Sequence, residues 1–62
     1  MILKIGDKVT FHGSLCQDIP AQPGMFTVEL FEPAGSFFNQ PMAVLEELKD
    51  GWIPASAVKL CN

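Results

Sequence analysis

Apolar and polar positions alternate along this chain in short bursts, separated by proline and glycine. Val9 and Phe11 flank Thr10, the period of two that marks a half-buried strand, and Ile5-Gly6-Asp7 reads as the turn leading into it. Residues 12–24 lose that period. His12-Gly13-Ser14, Asp18-Ile19-Pro20 and Gln22-Pro23-Gly24 are turn formers, which predicts a long loop of the kind that often carries function. The clearest strand covers residues 25–31. Phe26, Val28 and Leu30 are expected on one side, and Thr27, Glu29 and Phe31 on the other. Glu32-Pro33-Ala34-Gly35-Ser36 breaks it, and Phe37 and Phe38 follow in a loop beside Asn39, Gln40 and Pro41.

Residues 42–49 fit two elements. A helix would place Pro41 in its first turn, Met42, Leu45 and Leu48 on one side, and Gly51 as its stop. A strand would pair with Trp52-Ile53 through Asp50-Gly51, a dipeptide suited to a tight hairpin turn. The strand is preferred, because the tail needs a neighbour and no other adjacent segment supplies one. In that tail Pro54 stops ladder pairing, Ala55-Ser56-Ala57 makes a small-residue helical turn, and Val58 and Leu60 begin a closing alternation.

Strand, proline, one helical turn and closing strand is the order that ends an SH3-like barrel. Gly51-Trp52-Ile53-Pro54-Ala55-Ser56-Ala57-Val58 resembles the glycine–aromatic–Ile–Pro–small–polar–aromatic–Val signature of SH3 domains, with Ala57 in the second aromatic slot. The ends of the chain are also similar to type II, plasmid-type dihydrofolate reductases, small barrels that assemble as tetramers around a pore. Ile5-Gly6-Asp7-Lys8-Val9 resembles their opening Gly-Asp-Arg-Val, and Ile53-Pro54-Ala55-Ser56-Ala57-Val58-Lys59-Leu60-Cys61-Asn62 resembles their closing segment. The Val-Gln-Ile-Tyr run that carries their pore chemistry is replaced by Gly51-Trp52-Ile53. Both resemblances imply an all-β, five-stranded, SH3-like barrel with a 3-10 turn before the last strand, one domain over residues 1–62. The first implies Pro54 in a peptide-lining position. The second implies an oligomeric pore enzyme as the alternative function.

Composition sharpens the functional expectation. Of 62 residues, 48% are hydrophobic. A domain this small buries only about 60% of the surface its unfolded chain exposes, so an apolar surface patch or self-association is expected. The net charge is −3, with four basic and seven acidic residues. Lys4, Lys8, Lys49 and Lys59 are scattered and no arginine is present, which argues against nucleic-acid binding, since that needs clustered cations. No run approaches the roughly 20 apolar residues of a bilayer span, and no basic start precedes an apolar stretch. A cytoplasmic location away from membranes is expected, with Cys16 and Cys61 as reduced thiols, although a bridge between them stays open.

Catalytic and metal chemistry find little support. His12, Ser14 and Cys16 share one loop, but a nucleophile needs a base aimed at it, and sequence nearness does not supply that. A polar loop histidine and a small semi-buried thiol are the preferred account of them. His12, Cys16, Asp18 and Cys61 lack the tight ligand pairs of a structural zinc site. Glu46 and Glu47 on a strand would face opposite sides and could not share a proton. No cofactor, metal or catalytic residue is therefore expected. The aromatics offer more. Phe11 and Phe26 are expected in the core. Phe37, Phe38, Trp52 and Phe31, with Pro54, are the candidate partner-binding surface of a non-enzymatic interaction or self-assembly module. A second small core cluster under the loops is the competing reading of the same residues.

Overall fold

Short period-two segments in this chain can bury an apolar face only by curling one sheet over itself. The computed structural model describes residues 2–35, 37–48 and 51–61 and shows that arrangement. Five strands, β1 (Lys8–Phe11), β2 (Gln22–Glu32), β3 (Met42–Leu45), β4 (Ile53–Pro54) and β5 (Val58–Leu60), form one antiparallel sheet in the order β4-β3-β2-β1-β5. The sheet curls into a half-barrel. A 3-10 turn, Ala55–Ala57, precedes β5, and another, Leu15–Gln17, sits between β1 and β2. No α-helix occurs among the described residues.

The inner face follows the alternation. Val9 stands opposite Phe26 and Leu60, and Phe11 stands opposite Val58. Phe11 and Phe26 meet edge to face at 5.9 Å, an arrangement that suits the ring quadrupoles. Val9, Val28, Leu45 and Val58 are fully buried at the centre of the cluster. Ala55 and Ala57 carry that cluster across the 3-10 turn, where small side chains let the backbone come close. The Ala57 carbonyl accepts from both His12 and Gly13 N–H, which ties the turn to the end of β1.

β2 joins the two halves of the barrel, and it bends twice to do so. Thr10 pairs with Met25 but Phe11 pairs with Gln22, so Pro23 and Gly24 form a bulge. A proline has no N–H for the ladder, and Gly24 takes φ +98°, so the irregularity falls where the sequence tolerates it. This corrects the loop expected over residues 12–24: β2 begins at Gln22 and runs through the Gln22-Pro23-Gly24 turn signal. The second bulge lies at Glu29. Val28 pairs with Leu45 and Leu30 pairs with Val44, which leaves Glu29 as the extra residue.

That one residue reverses the phase of the strand. Leu30, expected beside Phe26 and Val28, turns outward and is 46% exposed. Phe31, expected on the polar side, packs against the core cluster. A bulge adds a residue without a partner, so every side chain beyond it changes face.

The 42–49 segment begins as the strand, not the helix, but β3 ends at Leu45. Met42 opposite Pro54 and Ala43 opposite Ile53 centre the β3–β4 connection on Leu48 rather than on Asp50-Gly51. Residues 46–48 thus leave the ladder before the expected turn; Asp50 of that turn, with Lys49, lies outside the described residues. Leu48 folds back into the core, and its N–H reaches the Leu45 carbonyl. Glu46 and Glu47 accordingly lie in a turn and not on a strand.

Candidate functional site

Apolar side chains meet solvent in several places, Ile2, Ile5, Leu15 and Met25 among them, and the outward side of β2, β3 and β4 is one, with Leu30 and Trp52. Along β3 the burial alternates: Ala43 and Leu45 face the core, while Met42 and Val44 lie half-buried on the outside. Leu30 is the cross-strand partner of Val44. Pro54 is the partner of Met42. Ile53 and Pro54 of β4 are both buried, and Trp52 just before them is 39% exposed. Leu30 and Val44 thus form an outward apolar pair across β2 and β3, and Trp52 is the exposed residue that leads into β4.

The Trp52 indole is held by Phe38, whose ring centroid lies 5.3 Å away at an interplanar angle of 51°. Phe38 is positioned by its own loop. It bridges to Ala34, and its carbonyl accepts from Gly35 N–H at 2.8 Å. Next to it Phe37 is 85% exposed. The same loop touches the one before β2, because the Gln17 and Gln40 side-chain amides exchange hydrogen bonds of 3.2 and 3.4 Å.

The aromatic residues singled out in the sequence therefore divide. Phe38 and Trp52 are together and Phe37 is exposed beside them. Phe31 packs on the core cluster, and Pro54 is buried within β4, so neither ring offers a partner much area. Leu30 and Val44 enter the surface in their place. Sequence reasoning missed both. Leu30 depends on the Glu29 bulge, which has no local signature, and Val44 depends on knowing that β3 exposes its other face.

Around the pair the charges are acidic. Glu32 lies opposite Met42, Glu29 is exposed at the bulge, and Glu46 is exposed just past β3. Glu47 has a different role. Its carboxylate accepts from Thr27 N–H at 2.7 Å and from the Thr27 hydroxyl at 2.9 Å. The same hydroxyl accepts from Lys8 Nζ at 2.7 Å, and Thr27 C=O accepts from Glu46 N–H. Thr27 is a buried polar residue at a position where the ladder to β3 has ended, so the glutamate supplies the acceptor a strand neighbour would have given. The Thr27 backbone N–H is the main reason the Glu47 carboxyl is held below its ordinary value; the Thr27 hydroxyl and the Lys8 charge add to this, and partial desolvation opposes it.

The remaining candidates are not gathered. His12 and Cys16 are exposed on the loop before β2, and both cysteines carry free thiols. Among the described residues no three of the His, Cys, Asp and Glu side chains are close enough to hold a metal ion. A cleft of about 310 Å³ is lined by Ser14, Leu15, Asp18, Ile19 and Pro20, which bring one hydroxyl and one carboxylate to a mainly apolar wall. No helix among the described residues is long and apolar enough to cross a membrane.

No protein-family model, curated protein or solved structure matches this chain. The site's own chemistry is what remains: an aromatic pair and two aliphatic side chains on a sheet exterior, bordered by glutamates. Such a surface can exclude water from an apolar partner and orient it by charge.

Proposed function

We propose that this domain is a non-enzymatic interaction or self-assembly module that uses its aromatic and apolar exterior as the contact surface. The observation that carries the reading is the Phe38–Trp52 ring pair, in which Phe38 is half-buried against a Trp52 that is 39% exposed, together with the outward Leu30–Val44 pair. Aromatic side chains contribute large contact area at small entropic cost and are enriched where proteins meet. The exterior of a small sheet is otherwise the place for polar residues, so an apolar pair there has a use outside the fold. The partner is a protein, either another molecule or a copy of this chain. The four lysines are too few and too dispersed for a nucleic-acid surface.

The reading also takes the half-barrel to be SH3-like. The strand order, with β5 returning beside β1 after a 3-10 turn, supports that assignment. So does the Gly51-Trp52-Ile53-Pro54 run at the start of β4.

The test is a double substitution, Phe37→Ser with Phe38→Ser, followed by thermal melting and by measurement of association. Unchanged melting with lost association is the expected result. Unfolding would assign these rings to a core cluster and overturn the proposal.

A further inference from the structure

The cleft before β2 is built from one stretch of chain. Ser14 and Ile19 exchange backbone hydrogen bonds of 2.8 and 2.9 Å, and Leu15–Gln17 between them form a 3-10 turn. The stretch is held at both ends. Gly13, at φ +78°, packs so closely against Ile19 and Ala21 that a Cβ would lie 2.4 Å from the Ile19 carbonyl oxygen. Ile19 in turn packs against the core cluster. The walls are therefore fixed before a ligand arrives, which lowers the entropic cost of binding. Leu15, Ile19 and Pro20 make the wall mainly apolar, and Leu15 is fully exposed. Among the five described lining residues Asp18 carries the one charge and Ser14 the one hydroxyl. Asp18 closes the 3-10 turn at φ 58° and ψ 40°, left-handed backbone where glycine is the easier residue. Among the described residues its carboxylate takes part in no side-chain hydrogen bond.

We propose that this cleft takes the side chain of a lysine presented by another protein. The ammonium donates to the Asp18 carboxylate and the Ser14 hydroxyl, and its aliphatic stem lies along Leu15, Ile19 and Pro20. A mainly apolar wall with a few convergent polar groups is the usual make-up of a binding cleft, and about 310 Å³ leaves room for one long side chain. Charge selects a cation, because the described wall has a carboxylate and no basic group. The lack of an aromatic ring among the described lining residues selects lysine over arginine, since a guanidinium gains most where it can stack on one. Exposure selects a side chain over a free small molecule. Leu15, Asp18 and Pro20 are all exposed at the rim, so a main chain can pass over the cleft while its side chain enters. The cleft shares no residue with the Leu30–Val44 pair or the Phe38–Trp52 rings, so the two surfaces are tested separately.

The probe is lysine with its main-chain ends blocked, as the Nα-acetyl methylamide. It is titrated into the full chain at low salt and followed through the backbone amide NMR shifts. Norleucine blocked in the same way keeps the stem and lacks the charge, and n-butylammonium stands for a free amine. Saturable shifts confined to residues 14–20 are expected with the lysine probe in the millimolar range, weaker with norleucine and at high salt. Asp18→Asn keeps a residue that tolerates left-handed backbone and should weaken binding about three- to fivefold. Leu15→Ser removes stem contact from a fully exposed position and should weaken it as well. Equal binding of norleucine, or undiminished binding to Asp18→Asn, overturns the cation. Tighter binding of n-butylammonium than of the lysine probe overturns a protein side chain as the occupant. No saturable shift, or shifts of equal size at every exposed carboxylate, overturns the site itself.

Discussion

Val28 and Leu30 are two residues apart on one strand, both aliphatic, and they have opposite fates. Val28 is fully buried at the centre of the half-barrel, whereas Leu30 is half exposed on its outside. The difference is the Glu29 bulge between them. Inside, apolar side chains are held by their neighbours on five strands and contribute to stability. Outside, Leu30, Val44 and Trp52 leave apolar area wholly or partly in solvent. Hydrophobicity alone does not tell a core residue from a surface residue in a chain with this little interior; the phase of the strand does.

The largest effects should come from the inner face. Leu45→Ala removes a fully buried side chain, and the cavity should cost about 2–5 kcal/mol, read as a lowered denaturant midpoint. In a domain this small that is most of its stability. Gly13→Ala comes next. Gly13 has φ +78°, and a Cβ there would lie within 2.4 Å of the Ile19 carbonyl oxygen and 2.8 Å of Ala21 N, both backbone atoms that cannot move aside. The loss should be at least about 1 kcal/mol, seen by the same measurement.

Leu30→Ser, on the outer face, should shift unfolding by no more than about 0.5 kcal/mol while abolishing association. A large stability loss from Leu30→Ser would erase the distinction between the two faces.

The smallest effect concerns the link between the halves. Glu47 has a carboxyl held below its ordinary value by Thr27, so its contribution to folding is present above the unfolded-state value and is lost as pH falls through the lower folded-state value. Stability should therefore drop on acidification, and the Glu47→Gln variant should show a flatter profile there. Equal acid dependence in both proteins would mean the Glu47–Thr27 contact contributes nothing.

Much of the fold was legible in the chain. Val9 and Phe11 alternate as expected, Phe11 and Phe26 are core, and Pro54 followed by Ala55-Ser56-Ala57 marks the 3-10 turn before β5. These are local patterns set by period, proline and small residues. Glu29 carries no such pattern, because a bulge is chosen by the register of two strands together. Phe31 and Leu30 were consequently assigned to each other's faces. The β3–β4 loop was misplaced for a related reason: Asp50-Gly51 favours a tight turn, but burying Leu48 and bringing Glu47 to Thr27 draws residues 46–48 out of the ladder. Of the candidate surface, Phe37, Phe38 and Trp52 could be suspected from the chain, since aromatics in loops and after turns have no inward direction assigned by period. Val44 could not, because its exposure depends on which strands flank β3.

The most direct measurement is the molar mass of the unsubstituted chain by light scattering over a wide concentration range, with Trp52 emission followed in parallel. Self-assembly through the outer surface predicts a mass that rises with concentration and an emission that moves to the blue as the indole leaves water. A constant monomer mass with an unchanged, red-shifted Trp52 at every concentration would contradict it.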